Sequence, residues 1–143
     1  MNKLYLVTFI IAISTISKAS DDWYPIATTD ESKFFINVQN ISESREYGKT
    51  IVKSWIKMQI FNDITKDGLS VGDYSLMLYH SNCEDNTVGM KSLTSYKNGK
   101  LFGNGVNKSY VQMNDAIPES IGESIIAYSC EGIKAKKAKQ NEY

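Results

Sequence analysis

Histidine occurs once in these 143 residues, and cysteine and proline occur twice each. The one histidine, His80, stands three residues before a cysteine in a run that reads as a strand, so it is taken as a sheet residue. No serine or cysteine nucleophile has a recognisable histidine partner. A metal site needs several convergent ligands, and His80, Glu84 and Asp85 are too few to define one. Gly103-Asn104-Gly105 lacks the third glycine and the strand-to-helix setting of a dinucleotide loop. Asp63 to Gly68 opens like a calcium loop, but Tyr74 stands at the twelfth position, where a bidentate glutamate belongs, and no helices flank it. Acids are scattered along the chain, and a carboxylate pair assembled only by folding would leave no mark in the sequence. No catalytic, cofactor-binding or metal-binding residue is assigned, and the chain is read as not an enzyme.

An excess of positive charge is also missing, as is an apolar run of membrane length. Sixteen bases balance 16 acids over the whole chain. The apolar run from Leu4 to Ile13 falls well short of the roughly 20 residues that span a bilayer. With Lys3 before it and Ser17-Lys18-Ala19 after it, residues 1–19 read instead as a secretory signal peptide. No cysteine lies near that cleavage point, so neither a lipidated N-terminal cysteine nor any other stable membrane anchor is expected. Loss of Lys3 and Lys18 leaves 14 bases against 16 acids, a net charge of −2. Lys134, Lys136, Lys137 and Lys139 crowd the end of the chain, so the domain proper is more acidic still. That balance excludes nucleic acid as a partner, because such binding concentrates positive charge along one face. Residues 134–143 are taken as a basic, solvated and partly disordered tail. Contact of this tail with an anionic surface, lipid headgroups or acidic polysaccharide, is the alternative.

What remains, residues 20–133, is enough for one domain with its own core and too short for two. Its two cysteines, Cys83 and Cys130, are expected to pair, since exported chains rarely leave an even number of thiols free. Turn residues punctuate the domain like an antiparallel sheet. Strands are expected at Trp23–Thr28 and Lys33–Val38, and most clearly at Ile51–Phe61, where Val52, Ser54, Ile56, Met58 and Ile60 alternate with Lys53, Lys57 and Gln59. Residues 62–73 are polar, hold Gly68 and Gly72, and read as a loop. Tyr74–Cys83 is apolar on both faces, as a central strand is, and Cys83 shares parity with Met77 and Tyr79. That parity predicts which face a helix covers. Lys97-Asn98-Gly99-Lys100 is a two-residue hairpin turn joining Val88–Lys97 to a strand that starts at Lys100, with Gly103 and Gly105 weakening or bulging the second strand. A short strand near Tyr110–Met113 is expected to follow.

Pro118 ends the extended chain, and Ser120 with Glu123 fits the S-x-x-E capping box of a helix start. Ile121, Ile125 and Tyr128 form one helical stripe, with Ile126 beside it. So short a helix is unstable alone, and packing plus the link to Cys83 must hold it. The fold class is therefore α+β: a single domain whose antiparallel sheet carries a C-terminal helix tethered to one face by a disulfide.

These features, taken in order, resemble the surface-adhesin protein E family of Gram-negative bacteria. The residues that carry the resemblance are Trp23, the strand Phe34-Phe35-Ile36-Asn37-Val38-Gln39-Asn40-Ile41, the Trp55 strand, the strand ending in Cys83, and Pro118-Glu119-Ser120-Ile121-Gly122-Glu123 through Cys130. The match covers roughly residues 23–131. It implies a curved sheet of about six strands with the helix on its concave side. It also implies adhesion to host extracellular-matrix proteins, with dimers expected, as in the best-known member. The stretch after the first cysteine, Glu84-Asp85-Asn86-Thr87, is acidic where family members commonly carry basic residues.

The expected function is that of an exported binding domain that engages a protein partner, either a host matrix component or an envelope protein, from the periplasm or the cell surface of a Gram-negative bacterium. Trp55 and Tyr96 are the candidate contact residues, because large rings dominate protein interfaces. A periplasmic inhibitor or accessory factor of an envelope enzyme is the alternative. No cofactor is expected.

Overall fold

Eight β-strands and one α-helix build residues 22–142, the part of the chain that a computed structural model describes. The expected signal peptide, residues 1–19, lies outside the described residues. The elements are β1 (Trp23–Thr28), β2 (Ser32–Asn37), β3 (Ser42–Glu46), β4 (Lys49–Ile60), β5 (Tyr74–Asn82), β6 (Thr87–Lys97), β7 (Lys100–Asn107), β8 (Asn114–Asp115) and α1 (Ile121–Gln140). All eight strands lie in one sheet whose main path runs β1-β2-β4-β5-β6-β7, with β3 on β4 and β8 on β6. Every pairing is antiparallel.

Alternation along β4 divides the sheet into two unlike faces. Val52, Ser54 and Ile56 are buried on the side that α1 covers, and Met77 of β5 shares it. Ile26, Ile36, Ile41, Ile125 and Ile133 complete that core, with Tyr79 packed against it. Burying a branched aliphatic side chain contributes about 1.5–3 kcal/mol, so this one layer of isoleucines supplies most of the drive to fold. Cys83 and Cys130 are joined, as expected, with Cα atoms 5.9 Å apart across a separation of 47 residues. The tether fastens the middle of α1 to the end of β5, on the face that the parity of Met77, Tyr79 and Cys83 indicates. β5 is central, between β4 and β6.

The turns follow their residues. Asn98 and Gly99 take φ of 50° and 73°, as a type I′ hairpin requires. Gly103 and Gly105 also have positive φ, and the β6–β7 register shifts between Leu93 and Ser95. Ser120 caps α1 by accepting from the Glu123 amide at 3.3 Å. The return bond differs from a standard capping box: Glu123 Oε2 accepts from the Glu119 amide at 2.7 Å, while the Ser120 amide donates to the Ile117 carbonyl.

Four features depart from the expectation. The first is an additional strand, β3, whose sequence Ser-Glu-Ser-Arg-Glu has no apolar alternation to announce it. It pairs with Lys49–Lys53, the half of β4 that β2 leaves free, through a tight turn in which Tyr47 and Gly48 have φ of 51° and 78°. The second is the short strand expected at Tyr110–Met113. It lies instead at Asn114–Asp115, on the start of β6. Residues 109–113 cross over Gly89, where a Cβ would run into the Gln112 carbonyl oxygen.

The third departure is the length of α1. It continues through Gln140 and absorbs most of the basic segment expected to be loose. The last is its buried stripe, which is turned slightly from the one anticipated. Ile125, Ile126, Ser129, Cys130 and Ile133 are buried, while Tyr128 lies at the margin against the Tyr24 ring. Ser129 can point inward because its hydroxyl meets that of Ser54 at 2.8 Å.

Candidate functional site

One face of the sheet is covered by α1; the other has no helix or second sheet over it among the described residues. Register places Trp55, Lys57 and Gln59 of β4 beside Leu78, Leu76 and Tyr74 of β5, with Phe35 of β2 opposite Lys57 and Tyr96 of β6 opposite Tyr74. None of these side chains belongs to the core under the helix. The Lys57 ammonium lies 4.9 Å from the Trp23 ring centre and 5.1 Å from that of Phe35, so its charge rests on two aromatic faces. Tyr74 and Tyr96 stack at 4.9 Å with an interplanar angle of 14°. Trp55 is 37% exposed in the middle of this face.

At one end of the same face lies a cleft of about 680 Å³. Its floor is Ile51 and Lys53 of β4 with Leu78 and His80 of β5. The β3–β4 turn forms one wall through Glu46 and Tyr47, and residues 109–113 form the other through Tyr110 and Met113. Gly89 makes that second wall possible. It pairs with His80 on the floor, and its missing Cβ is the space through which the Gln112 backbone passes. The Tyr47 and Tyr110 rings meet edge to face at the rim, their centres 6.3 Å apart.

The electrostatics centre on Glu46. Its Oε1 takes the Lys53 ammonium at 2.7 Å and the Ser44 hydroxyl at 3.1 Å, and its Oε2 lies 3.5 Å from His80 Nδ1. Hydrogen bonding from Lys53 holds the Glu46 carboxyl below its ordinary value, with Ser44 and His80 adding to the effect and burial opposing it. His80 is only 4% exposed. Burial pushes its pKa below the ordinary 6.5, and Lys53 and Lys91 push the same way, against the pull of Glu46. The imidazole is neutral at pH 7. The contact with Glu46 assigns its proton to Nδ1 and leaves Nε2 as an acceptor.

Asp85 closes the site on another side, taking the Lys49 ammonium at 2.5 Å and the Asn82 amide at 3.0 Å. Lys91 is anchored differently. Its ammonium donates to the Lys108 carbonyl and has no carboxylate partner among the described residues. This arrangement offers acceptors and a free cationic donor around a floor of mixed apolar and polar side chains, which is chemistry for holding a polar ligand.

Trp55 and Tyr96, the contacts suggested by the sequence, lie on the uncovered face but not together, since Tyr96 faces Tyr74 across from Gln59, four residues up the strand from Trp55. Tyr96 is half-buried in its stack with Tyr74. Three of the four helix-end lysines are tied down: Lys136 to the Gln39 and Ile41 carbonyls, Lys137 to Glu43 and Lys134 to Glu131. Lys136 and Lys137 thus bind the end of α1 to the β2–β3 region.

The cleft residues Glu46, Tyr47, Lys91 and Tyr110 carry no pattern in sequence. The one available signal was Tyr47-Gly48, a dipeptide able to make the tight turn that creates a wall. Among the described residues no group of three or more His, Cys, Asp or Glu is placed to hold a metal ion, and no helix is long and apolar enough to cross a membrane. Comparison of the chain with protein-family models, with curated proteins and with solved structures finds no match.

Proposed function

We propose that this chain is an exported, non-enzymatic binding domain of the surface-adhesin protein E kind, which engages a protein partner through the uncovered face of its sheet. The observation that carries the reading is the asymmetry of that sheet. One face is sealed by a tethered helix, while the other presents Trp23, Phe35, Trp55, Leu76 and the Tyr74–Tyr96 stack without a covering layer. Large apolar groups left open on a small domain mark interaction sites, and tryptophan and tyrosine supply most of the energy in such interfaces. The formed disulfide fits an oxidising compartment, in keeping with export to the periplasm or the surface of a Gram-negative cell. The partner in this reading is a host extracellular-matrix component.

The test is binding of the oxidised protein to a panel of immobilised matrix proteins, run beside a periplasmic extract. Saturable binding to one matrix component is expected, weakened at least about tenfold by Trp55→Ala with the far-ultraviolet spectrum unchanged. Binding only to an envelope enzyme would replace this reading with that of a periplasmic inhibitor or accessory factor. A Trp55→Ala protein that stays folded and binds like the parent would remove Trp55 from the interface.

A further inference from the structure

The cleft at the end of the uncovered face differs in kind from the aromatic surface beside it. Three ammonium groups (Lys49, Lys53, Lys91) and two carboxylates (Glu46, Asp85) line it, and His80 adds no charge, so its balance is +1. Residues 22–142 as a whole carry 14 bases and 15 acids, a net −1. The cleft is therefore a local positive site on a slightly acidic domain. Lys49 and Lys53 are already neutralised by Asp85 and Glu46. Lys91 alone is free for an external anion, and its bond to the Lys108 carbonyl fixes its position while leaving two ammonium hydrogens for a ligand.

A single unpaired cation with two carboxylates nearby selects one negative charge. A phosphate dianion would be repelled by Glu46 and Asp85, and the cleft offers it no helix N-terminus or nest of backbone amides. Of the remaining polar groups, the Glu46 carboxylate and His80 Nε2 only accept, while the Thr87 and Ser109 hydroxyls on the lining donate or accept, so the cleft suits a ligand rich in hydroxyls. An acidic peptide supplies few of these and a sugar many. Tyr47 and Tyr110, 89% and 66% exposed, place two aromatic rings at the rim, where the electron-rich ring faces suit the C–H face of a pyranose. The volume of about 680 Å³ lies in the usual range for small-molecule sites.

We propose that this cleft binds a small monoanionic saccharide of the uronic-acid type, with its carboxylate on Lys91, its hydroxyls on Glu46 and His80, and its ring against Tyr47 or Tyr110. This site lies at one end of the protein-binding face, beside its aromatic surface, and neither proposal depends on the other.

The experiment is a titration of the oxidised protein, followed by its amide NMR spectrum, with galacturonic acid and digalacturonic acid. Galactose, galactose 6-phosphate and a short glutamate peptide are run beside them. Saturable shifts confined to residues around the cleft are expected with the acid sugars, with galactose about tenfold weaker for want of the charged pair. Lys91→Gln removes the preference for acid over neutral sugar. Tyr110→Ala weakens both, and Tyr47→Ala, at the more exposed position, serves the same purpose if the first variant disturbs the spectrum elsewhere. No saturable shift with either acid sugar overturns the proposal. So does equal or tighter binding of the phosphate or the peptide, or an unchanged acid preference in Lys91→Gln.

Discussion

Ser54 and Ser129 are both fully buried and share one hydrogen bond between the sheet and the helix. Removing either hydroxyl leaves the other desolvated and unpaired, which costs about 1–3 kcal/mol. Ser54→Ala should lower the urea midpoint accordingly, and the Ser54→Ala/Ser129→Ala double variant should cost less than the sum of the two. Ser81 has the opposite expectation. Its hydroxyl is buried with no partner among the described residues, so Ser81→Ala should leave stability unchanged or raise it by up to about 1 kcal/mol. Three serines of the same composition thus separate by surroundings alone, and for this reason Ser129 was missed in a helical stripe judged by hydrophobicity.

His80 gives a pH dependence. Its folded pKa lies below the ordinary 6.5 of an unfolded chain, chiefly through burial, so the unfolded state binds more protons as pH drops. Stability is fully present above pH 6.5 and declines as pH falls below it toward the folded pKa. Glu46, held low by Lys53, adds a second loss, which begins only as pH falls below its ordinary 4.5. Chemical denaturation at a series of pH values should therefore show a fall starting near pH 6.5, and His80→Asn should remove that first fall while keeping the second. A parent protein with no change between pH 7 and pH 5 would contradict the neutral, buried imidazole.

Among elements, α1 depends most on others for its existence. Its cap, its five inward residues and its tether to β5 each answer a different weakness of an isolated helix. Closing the 47-residue separation contributes about 4 kcal/mol in the chain-entropy model. Replacing both cysteines by serine should accordingly cost on the order of 2–5 kcal/mol by denaturant titration, with faster hydrogen exchange concentrated in residues 121–140. Loss spread evenly over the sheet would argue against the tether as the helix's main hold. Gly132 marks a close approach of the same element to the buried Ile41 side chain. A Cβ there would overlap the Ile41 side chain, so Gly132→Ala should destabilise although alanine is the better helix former.

The sequence announced α1 through Ser120, Glu123 and the isoleucine spacing, and it announced β4 through strict alternation. It could not announce β3, whose five residues are all polar because its side chains meet solvent, Lys53, His80 and Lys137 rather than the core. The end of α1 was misjudged for a related reason. Lysines 134–139 read as solvated charge, and only the fold shows Lys136 and Lys137 reaching back to Ile41 and Glu43.

At the scale of the molecule, the sheet is a single layer with a helix on one side, and among the described residues the other face has only the segment 109–113 crossing one end of it. Alternation predicted a wet face, yet much of that face is aromatic, because β5 is apolar on both sides and β1, β2 and β4 add Trp23, Phe35 and Trp55. The sequence showed this as the two-sided pattern of Tyr74–Cys83. The cleft was invisible, since it forms where three stretches far apart in sequence, 46–53, 78–91 and 109–113, converge around His80.

A comparison of the two sides of the sheet tests whether the uncovered face is the binding surface. Trp55→Ala on the open face and Tyr128→Ala on α1 remove exposed aromatic rings of similar exposure, 37% and 40%. Both are titrated, with the parent protein, against the panel of immobilised matrix proteins. At least about a tenfold loss for Trp55→Ala, with Tyr128→Ala close to the parent, is the expected result. Loss through Tyr128→Ala alone would move the interface to the helix side and contradict the reading of the sheet as the binding surface.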